Sequence, residues 1–233
     1  MVKEPIVAVN FKAYPTAFGK KGLEIAKAAE KVYKEFGGNV EIIIAPPATE
    51  LRIIKENVEV LVFAQHADPL TLGSRTGWLP IELIKDTGVD GLLINHSEHR
   101  LRLDEINVLV KKAKELGLTS LVCADVPETG AAAAVLRPDI IAVEPPELIG
   151  TGVAVSKAKP EVVTNSVSLI RSVNKDVIIL TGAGITSSDD VEAAIKLGTS
   201  GVLVASAVMK AKDPEKVIRD MAQAALKAWE ARK

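Results

Sequence analysis

The sequence holds a single cysteine, Cys123, so no disulfide can close within the chain. That fits a reducing compartment, and a lone cysteine inside an apolar run is more often a packing residue than a nucleophile. Aromatic residues make up 3% of the chain, and there are three histidines and two glutamines. The scarcity of thermolabile side chains reads as heat adaptation. Charge of either sign is not in excess: 29 Lys and Arg face 30 Asp and Glu, for a formal net charge of −1. With no basic stripe and no acidic tail, nucleic acid and strongly charged partners are not expected. No apolar run approaches the roughly 18–20 residues needed to cross a bilayer, so no membrane association is expected either. The opening residues lead at once into a short apolar run, without a signal-peptide core or cleavage site, and a cytoplasmic protein is expected.

What is present is alternation. Eight short runs rich in β-branched residues recur: Ile6–Asn10, Val40–Ala45, Val60–Ala64, Gly91–Asn95, Ser120–Ala124, Ile140–Val143, Val177–Thr181 and Gly201–Ala205. They are nearly continuous in apolar character, as strands buried on both faces must be. Between them lie segments of helical period. Gly22–Glu35 is amphipathic. Asp104–Leu116 has Asp104 as a plausible N-cap and Gly117 beyond its end, Ser187–Asp190 caps Val191–Leu197, and Asp213-Pro214 opens the last helix. Strand then helix, eight times without a break in composition, predicts a parallel sheet, and 233 residues suit an α/β fold closed as a (β/α)8 barrel. A single domain over residues 1–233 is expected. A doubly wound open sheet fits the same alternation until the strand ends are read.

In a barrel of this kind chemistry gathers at the C-terminal ends of the strands. Strand 1 ends in Asn10-Phe11-Lys12, strand 4 in Asn95-His96-Ser97-Glu98, strand 6 in Glu144-Pro145-Pro146, strand 7 in Gly182-Ala183-Gly184 and strand 8 in Ala205-Ser206. Taken singly, Lys12 reads as a solvated loop cation and His96 as a structural histidine. Glu144, directly after Ile-Ile-Ala-Val, is harder to read that way, because a carboxylate at the mouth of an apolar strand is poorly solvated and suits a proton acceptor. A lysine, an imidazole and a carboxylate at one rim point to catalysis. Gly182-x-Gly184 lacks the third glycine of a dinucleotide fingerprint, since Ser187 stands there, and an anion cradle of backbone N–H groups fits better. No phosphate-loop pattern, nucleophile elbow or metal-ligand spacing is present. His96 and His99 are spaced as a helical pair would be, but without a third ligand nearby, so no metal is expected.

Three segments carry a resemblance that spans the chain: Val9-Asn10-Phe11-Lys12, Asn95-His96-Ser97-Glu98-His99-Arg100, and Ala142-Val143-Glu144-Pro145-Pro146-Glu147-Leu148-Ile149-Gly150-Thr151-Gly152. In sequence and order they resemble triosephosphate isomerase, and the short length resembles the compact archaeal branch of that family. The resemblance implies a TIM barrel that needs no cofactor and isomerises dihydroxyacetone phosphate and glyceraldehyde 3-phosphate in glycolysis and gluconeogenesis. It implies Glu144 as the base, His96 as a neutral electrophile, Lys12 as the cation facing the enediolate, Asn10 as a substrate-contacting donor and Glu98 as the partner of Lys12. Ile149 and Gly150 fall in a lid expected over Pro146–Lys157. Gly184, Ala205 and Ser206 fall where the phosphate is gripped by backbone. It also implies a homo-oligomer, a dimer at least and a homotetramer by analogy, with the loop His66–Gly77 reaching into a neighbouring subunit.

The chain departs from the family pattern in places. Pro146-Glu147-Leu148 replaces the usual lid hinge, Thr181-Gly182-Ala183-Gly184 replaces Tyr-Gly-Gly-Ser, and Ala205-Ser206 replaces Gly-Gly. The usual latch hydroxyls are thus reduced to Thr181. A Schiff-base aldolase on the same barrel and a non-catalytic sugar-phosphate-binding barrel stay open as alternatives.

Overall fold

In the computed structural model, which describes residues 2–145 and 160–232, eight parallel strands close on themselves in sequence order, with β8 returning to β1. They are β1 (Ile6–Asn10), β2 (Glu41–Ala45), β3 (Leu61–Ala64), β4 (Gly91–Ile94), β5 (Thr119–Ala124), β6 (Ile140–Val143), β7 (Ile178–Thr181) and β8 (Gly201–Val204). Each boundary lies within one residue of its expected run. The closed order excludes the doubly wound alternative. The helices are α1 (Gly19–Glu35), α2 (Leu51–Lys55), α3 (Ile81–Asp86), α4 (Leu103–Glu115), α5 (Pro127–Val135), α6 (Pro160–Val173), α7 (Ser188–Lys196), α8 (Ser206–Met209) and α9 (Pro214–Glu230). Among the described residues no helix is long and apolar enough to cross a membrane.

Because successive side chains of a strand point to opposite faces, each strand divides its residues between two cores. One set fills the barrel interior: Ile6 and Ala8, Ile43, Phe63, Leu93, Leu121 and Cys123, Ile140 and Ala142, Leu180, and Leu203. The alternate residues, Val7, Val9, Ile42, Ile44, Val62, Ile94, Ile141, Ile179 and Val204, pack outward against the helices. Both faces are thus buried, which is why the strands read as unbroken apolar runs. Below the barrel two carboxylates satisfy strand starts: Asp139 accepts the Ser120 N–H, and Asp90 accepts the Val62 N–H, both at 2.8 Å.

Three helix starts differ from expectation. α7 begins at Ser188, so Asp189 and Asp190 stand in its first turn rather than before it. α1 begins three residues before Gly22, which is not a boundary but a point of close approach: a Cβ there would lie 2.6 Å from the Ala17 carbonyl oxygen. α4 begins at Leu103, so Asp104 stands inside the first turn, ion-paired to Arg102, while Glu105 accepts the Arg102 N–H at 2.8 Å. The expected ends hold elsewhere. Gly117 takes φ +67° after α4, and Asp213 accepts the Lys216 N–H at the start of α9.

Candidate active site

The interior-facing set continues past the apolar core to the C-terminal mouth, and there it turns polar. Counting by twos from Ala8 reaches Asn10, from Phe63 reaches Gln65, from Leu93 reaches Asn95 and from Ala142 reaches Glu144. From Leu180 and Leu203 the same count reaches Gly182 and Ala205, small residues that leave room. Asn10, Lys12, His96, Glu144, Gly184, Ala205 and Ser206 all line one cavity at this mouth. Seven of the ten site residues proposed from sequence therefore converge there. Glu98 stands beside it through Lys12. Ile149, Gly150 and the rest of the lid segment lie outside the described residues.

His96 would face outward if β4 continued. Instead Asn95 takes φ +63°, a left-handed conformation that a short amide side chain tolerates, and the chain reverses so that the imidazole enters the cavity. The Asn95 side chain holds the turn, accepting the Leu101 N–H at 2.8 Å and donating to the Cys123 carbonyl at 3.0 Å. Next, the Glu98 N–H donates to His96 Nδ1 at 3.1 Å. A nitrogen that accepts a backbone N–H carries no proton, so the neutral ring bears its proton on Nε2. That Nε2 lies 3.3 Å from Glu144 Oε1.

Glu144 is 2% exposed. Its Oε2 is buried and has no hydrogen-bond partner among the described residues. Leaving a buried carboxylate oxygen unpaired is costly, about 1–3 kcal/mol for a neutral group and more for a charge, and such a cost is characteristic of a working group. Beneath it lies Cys123, whose thiol is pushed well up by burial and by the neighbouring Glu144 charge. Cys123 is therefore a neutral packing residue, as expected.

Lys12 also has left-handed backbone, φ +47°. Its conformation is held from two sides. The Lys12 N–H donates to Asn10 Oδ1 at 2.9 Å, and its carbonyl accepts from Gln65 Nε2 at 3.0 Å. The ammonium is aimed by Glu98 Oε1 at 2.8 Å. Asn10 is thereby committed as an acceptor to Lys12, which leaves its amide NH2 as the donor toward the cavity. Gln65 and Tyr14, which also lines the cavity, were not singled out from sequence. Gln65 could have been, since it is the polar residue one step of two beyond Phe63. Tyr14 follows an irregular turn and gives no periodic signal.

The structure decides two points that the sequence left open. Thr181 is not free to latch a lid. It is completely buried, and its hydroxyl lies 3.5 Å from Thr199 Oγ1. The strand parity explains this, because Thr181 alternates with Leu180 and so faces the helices. Thr181→Val keeps the shape and removes a hydroxyl engaged away from the cavity, so kcat/KM should fall by less than about 1.5 kcal/mol in equivalent free energy. A thousandfold loss in steady-state assays would contradict this placement. The second concerns His99, which is not a helical neighbour of His96. Ser97 and Glu98 form a turn, and the His99 ring stacks on His66 instead.

A closed parallel barrel that carries at its C-terminal mouth a buried carboxylate with one oxygen left without a hydrogen bond, a neutral imidazole and an aimed ammonium is an α/β-barrel enzyme of the acid–base class. Residues 5–224 match the family model described as triosephosphate isomerase. The chain is 52% identical over 231 residues to a triosephosphate isomerase of Metallosphaera sedula, covering 99% of this chain and 100% of that one. It is 50% identical to one of Saccharolobus solfataricus over 97% of this chain and 99% of that one. Against one of Methanocaldococcus jannaschii the figures are 51%, 93% and 98%. The chain belongs to the triosephosphate isomerase family.

Proposed function

We propose that this mouth interconverts dihydroxyacetone phosphate and D-glyceraldehyde 3-phosphate through an enediolate, the step shared by glycolysis and gluconeogenesis. The observation that carries the reading is Glu144. Its carboxylate is buried, with Oε1 beside the imidazole N–H and Oε2 unpaired among the described residues.

Removing a proton next to a carbonyl leaves negative charge on oxygen, so fixed donors must face that oxygen. His96 Nε2–H and the Lys12 ammonium are the two that this geometry supplies, and Glu144 carries the proton between the carbons. The Asn10 amide adds a further donor. The phosphate end is assigned to backbone N–H groups of Gly184, Ala205 and Ser206, where small side chains permit close approach. Gly184 takes φ +68° to turn its peptide. This chemistry asks nothing of a cofactor. A Schiff-base lyase would need a lysine free to form an imine, and Lys12, the lysine that lines the cavity, is ion-paired to Glu98.

The test is a coupled assay with glyceraldehyde 3-phosphate, run with and without phosphoglycolate. Turnover with competitive inhibition is expected. Binding without turnover would leave the non-catalytic barrel standing.

We also infer a homo-oligomer, a dimer at least, with a tetramer as the fuller assembly. Residues 71–78 are exposed throughout and include Leu72 at 57% and Trp78 at 53% exposure, large apolar groups that a partner would cover. A second apolar set, Leu103, Val108, Val126 and Val135, lies exposed on and beside α4 and α5. Light scattering should give at least twice the chain mass of 24.7 kDa. A fully active monomer at micromolar concentration would refute the assembly.

A further inference from the structure

The chain has three histidines, and the reaction uses one of them. The other two meet face to face: the His66 and His99 rings stack with centroids 3.8 Å apart and planes 17° from parallel. Each ring is fixed to a different loop. His66 Nε2 lies 3.1 Å from Asp68 Oδ1, and Asp68 closes the loop after β3. Its Oδ2 accepts the Leu79 N–H at 2.6 Å, and its own N–H donates to the Leu79 carbonyl at 2.8 Å. On the other side, the His99 N–H donates to the His96 carbonyl at 2.8 Å. That turn is the one in which the Glu98 N–H sets the His96 tautomer and the Glu98 carboxylate aims Lys12. The stack thus braces the catalytic turn against the loop after β3.

Such a stack tolerates one proton but not two, since imidazolium rings in face contact repel. The groups around the pair pull both ways. Asp68, from the loop after β3, favours one proton on His66. Glu98 and neutral His96 stand on the turn after β4, and Lys12 adds positive charge from the loop after β1. We propose that His66 and His99 are positioning residues for Lys12 and His96, forming a brace that holds while the pair carries at most one proton and opens when acid adds the second.

Burial pushes His66 below the ordinary imidazole range against the pull of Asp68, and charge on His99 pushes it further down. The sign follows. The unfolded chain takes up a proton near 6.5 that the folded chain resists, so this contribution to stability is complete above that pH and is lost as the pH falls through the lower folded value.

The kinetic arm of the test rests on the isomerase reading; the spectroscopic arm does not. His99→Phe keeps a stacking ring that cannot titrate. With three histidines in the chain, imidazole C–H resonances report each ring by NMR. In His99→Phe the His66 titration midpoint should move up. The fall in kcat/KM between about pH 7.5 and about pH 5.5 should be severalfold smaller than in the parent, whose substrate titrates identically. His99→Ala, which removes the ring, should lower kcat/KM roughly 10-fold at pH 7.5 through a misplaced Lys12. If His99→Phe fails to fold, His66→Phe tests the pair from the other ring. Superimposable pH profiles for parent and Phe variant overturn the proposal, whether or not the NMR midpoint moves. A parent without isomerase activity sinks the isomerase reading, and the His66 midpoint in His99→Phe then decides the pairing alone.

Discussion

Glu144→Asp should lower kcat by about 100-fold or more, with little change in KM for either triose phosphate. The substitution shortens the side chain by one methylene, so the carboxylate retreats by roughly an ångström from the carbon it must deprotonate, a misplacement that costs about two orders of magnitude in a positioned reaction. In the function proposed above the phosphate sits in a different part of the cavity, along Gly184 and Ala205-Ser206, so its binding should not depend on this side chain. Glu144 also donates its backbone N–H to the Ala124 carbonyl at 2.7 Å, which aspartate retains, so the main chain at the end of β6 should not move. Steady-state kinetics in both directions checks the result. Turnover within a few-fold of the parent would remove Glu144 from the role of base.

The second large effect is expected at a residue with no side chain. Gly182 stands on β7's interior-facing count, directly across from Glu144. A Cβ added there would lie 2.6 Å from Glu144 Cγ and 3.2 Å from its Oε1, well inside the roughly 3.5–4.0 Å at which carbon atoms sit at rest. Gly182 is not among the residues with positive φ, so alanine is compatible with the backbone and the cost is steric alone. Glu144 must rotate, which takes its Oε1 away from His96 Nε2. Gly182→Ala should therefore lower kcat by about 100-fold while the circular dichroism of the barrel is unchanged. Combined with Glu144→Asp, the losses should be markedly less than multiplicative, because both changes displace the same carboxylate. Fully multiplicative losses would mean that Gly182 serves something other than the placement of Glu144.

Much of this protein is legible along the chain because strand structure is local. A pleat alternates every residue, so the eight runs, their order and the side each residue faces can be counted from sequence. That count takes Ala142 to Glu144 and Ala8 to Asn10, and read strictly it also turns Thr181 toward the helices, away from any lid. Counting fails where the strands end. His96 enters the cavity because Asn95 adopts φ +63°, and Lys12 because its own φ is +47°. Those single dihedrals are held by partners from other loops rather than by periodicity. Glu98 reaches Lys12 across 86 positions of sequence, and His99 finds His66 instead of the nearer His96. The sequence by itself determined the barrel and which residue types stand at its rim, since burial and alternation are properties of neighbours. Only the tertiary structure decided which of those groups are paired, which are left unpaired and where each points, because these depend on loops that the closed barrel brings together from distant parts of the chain.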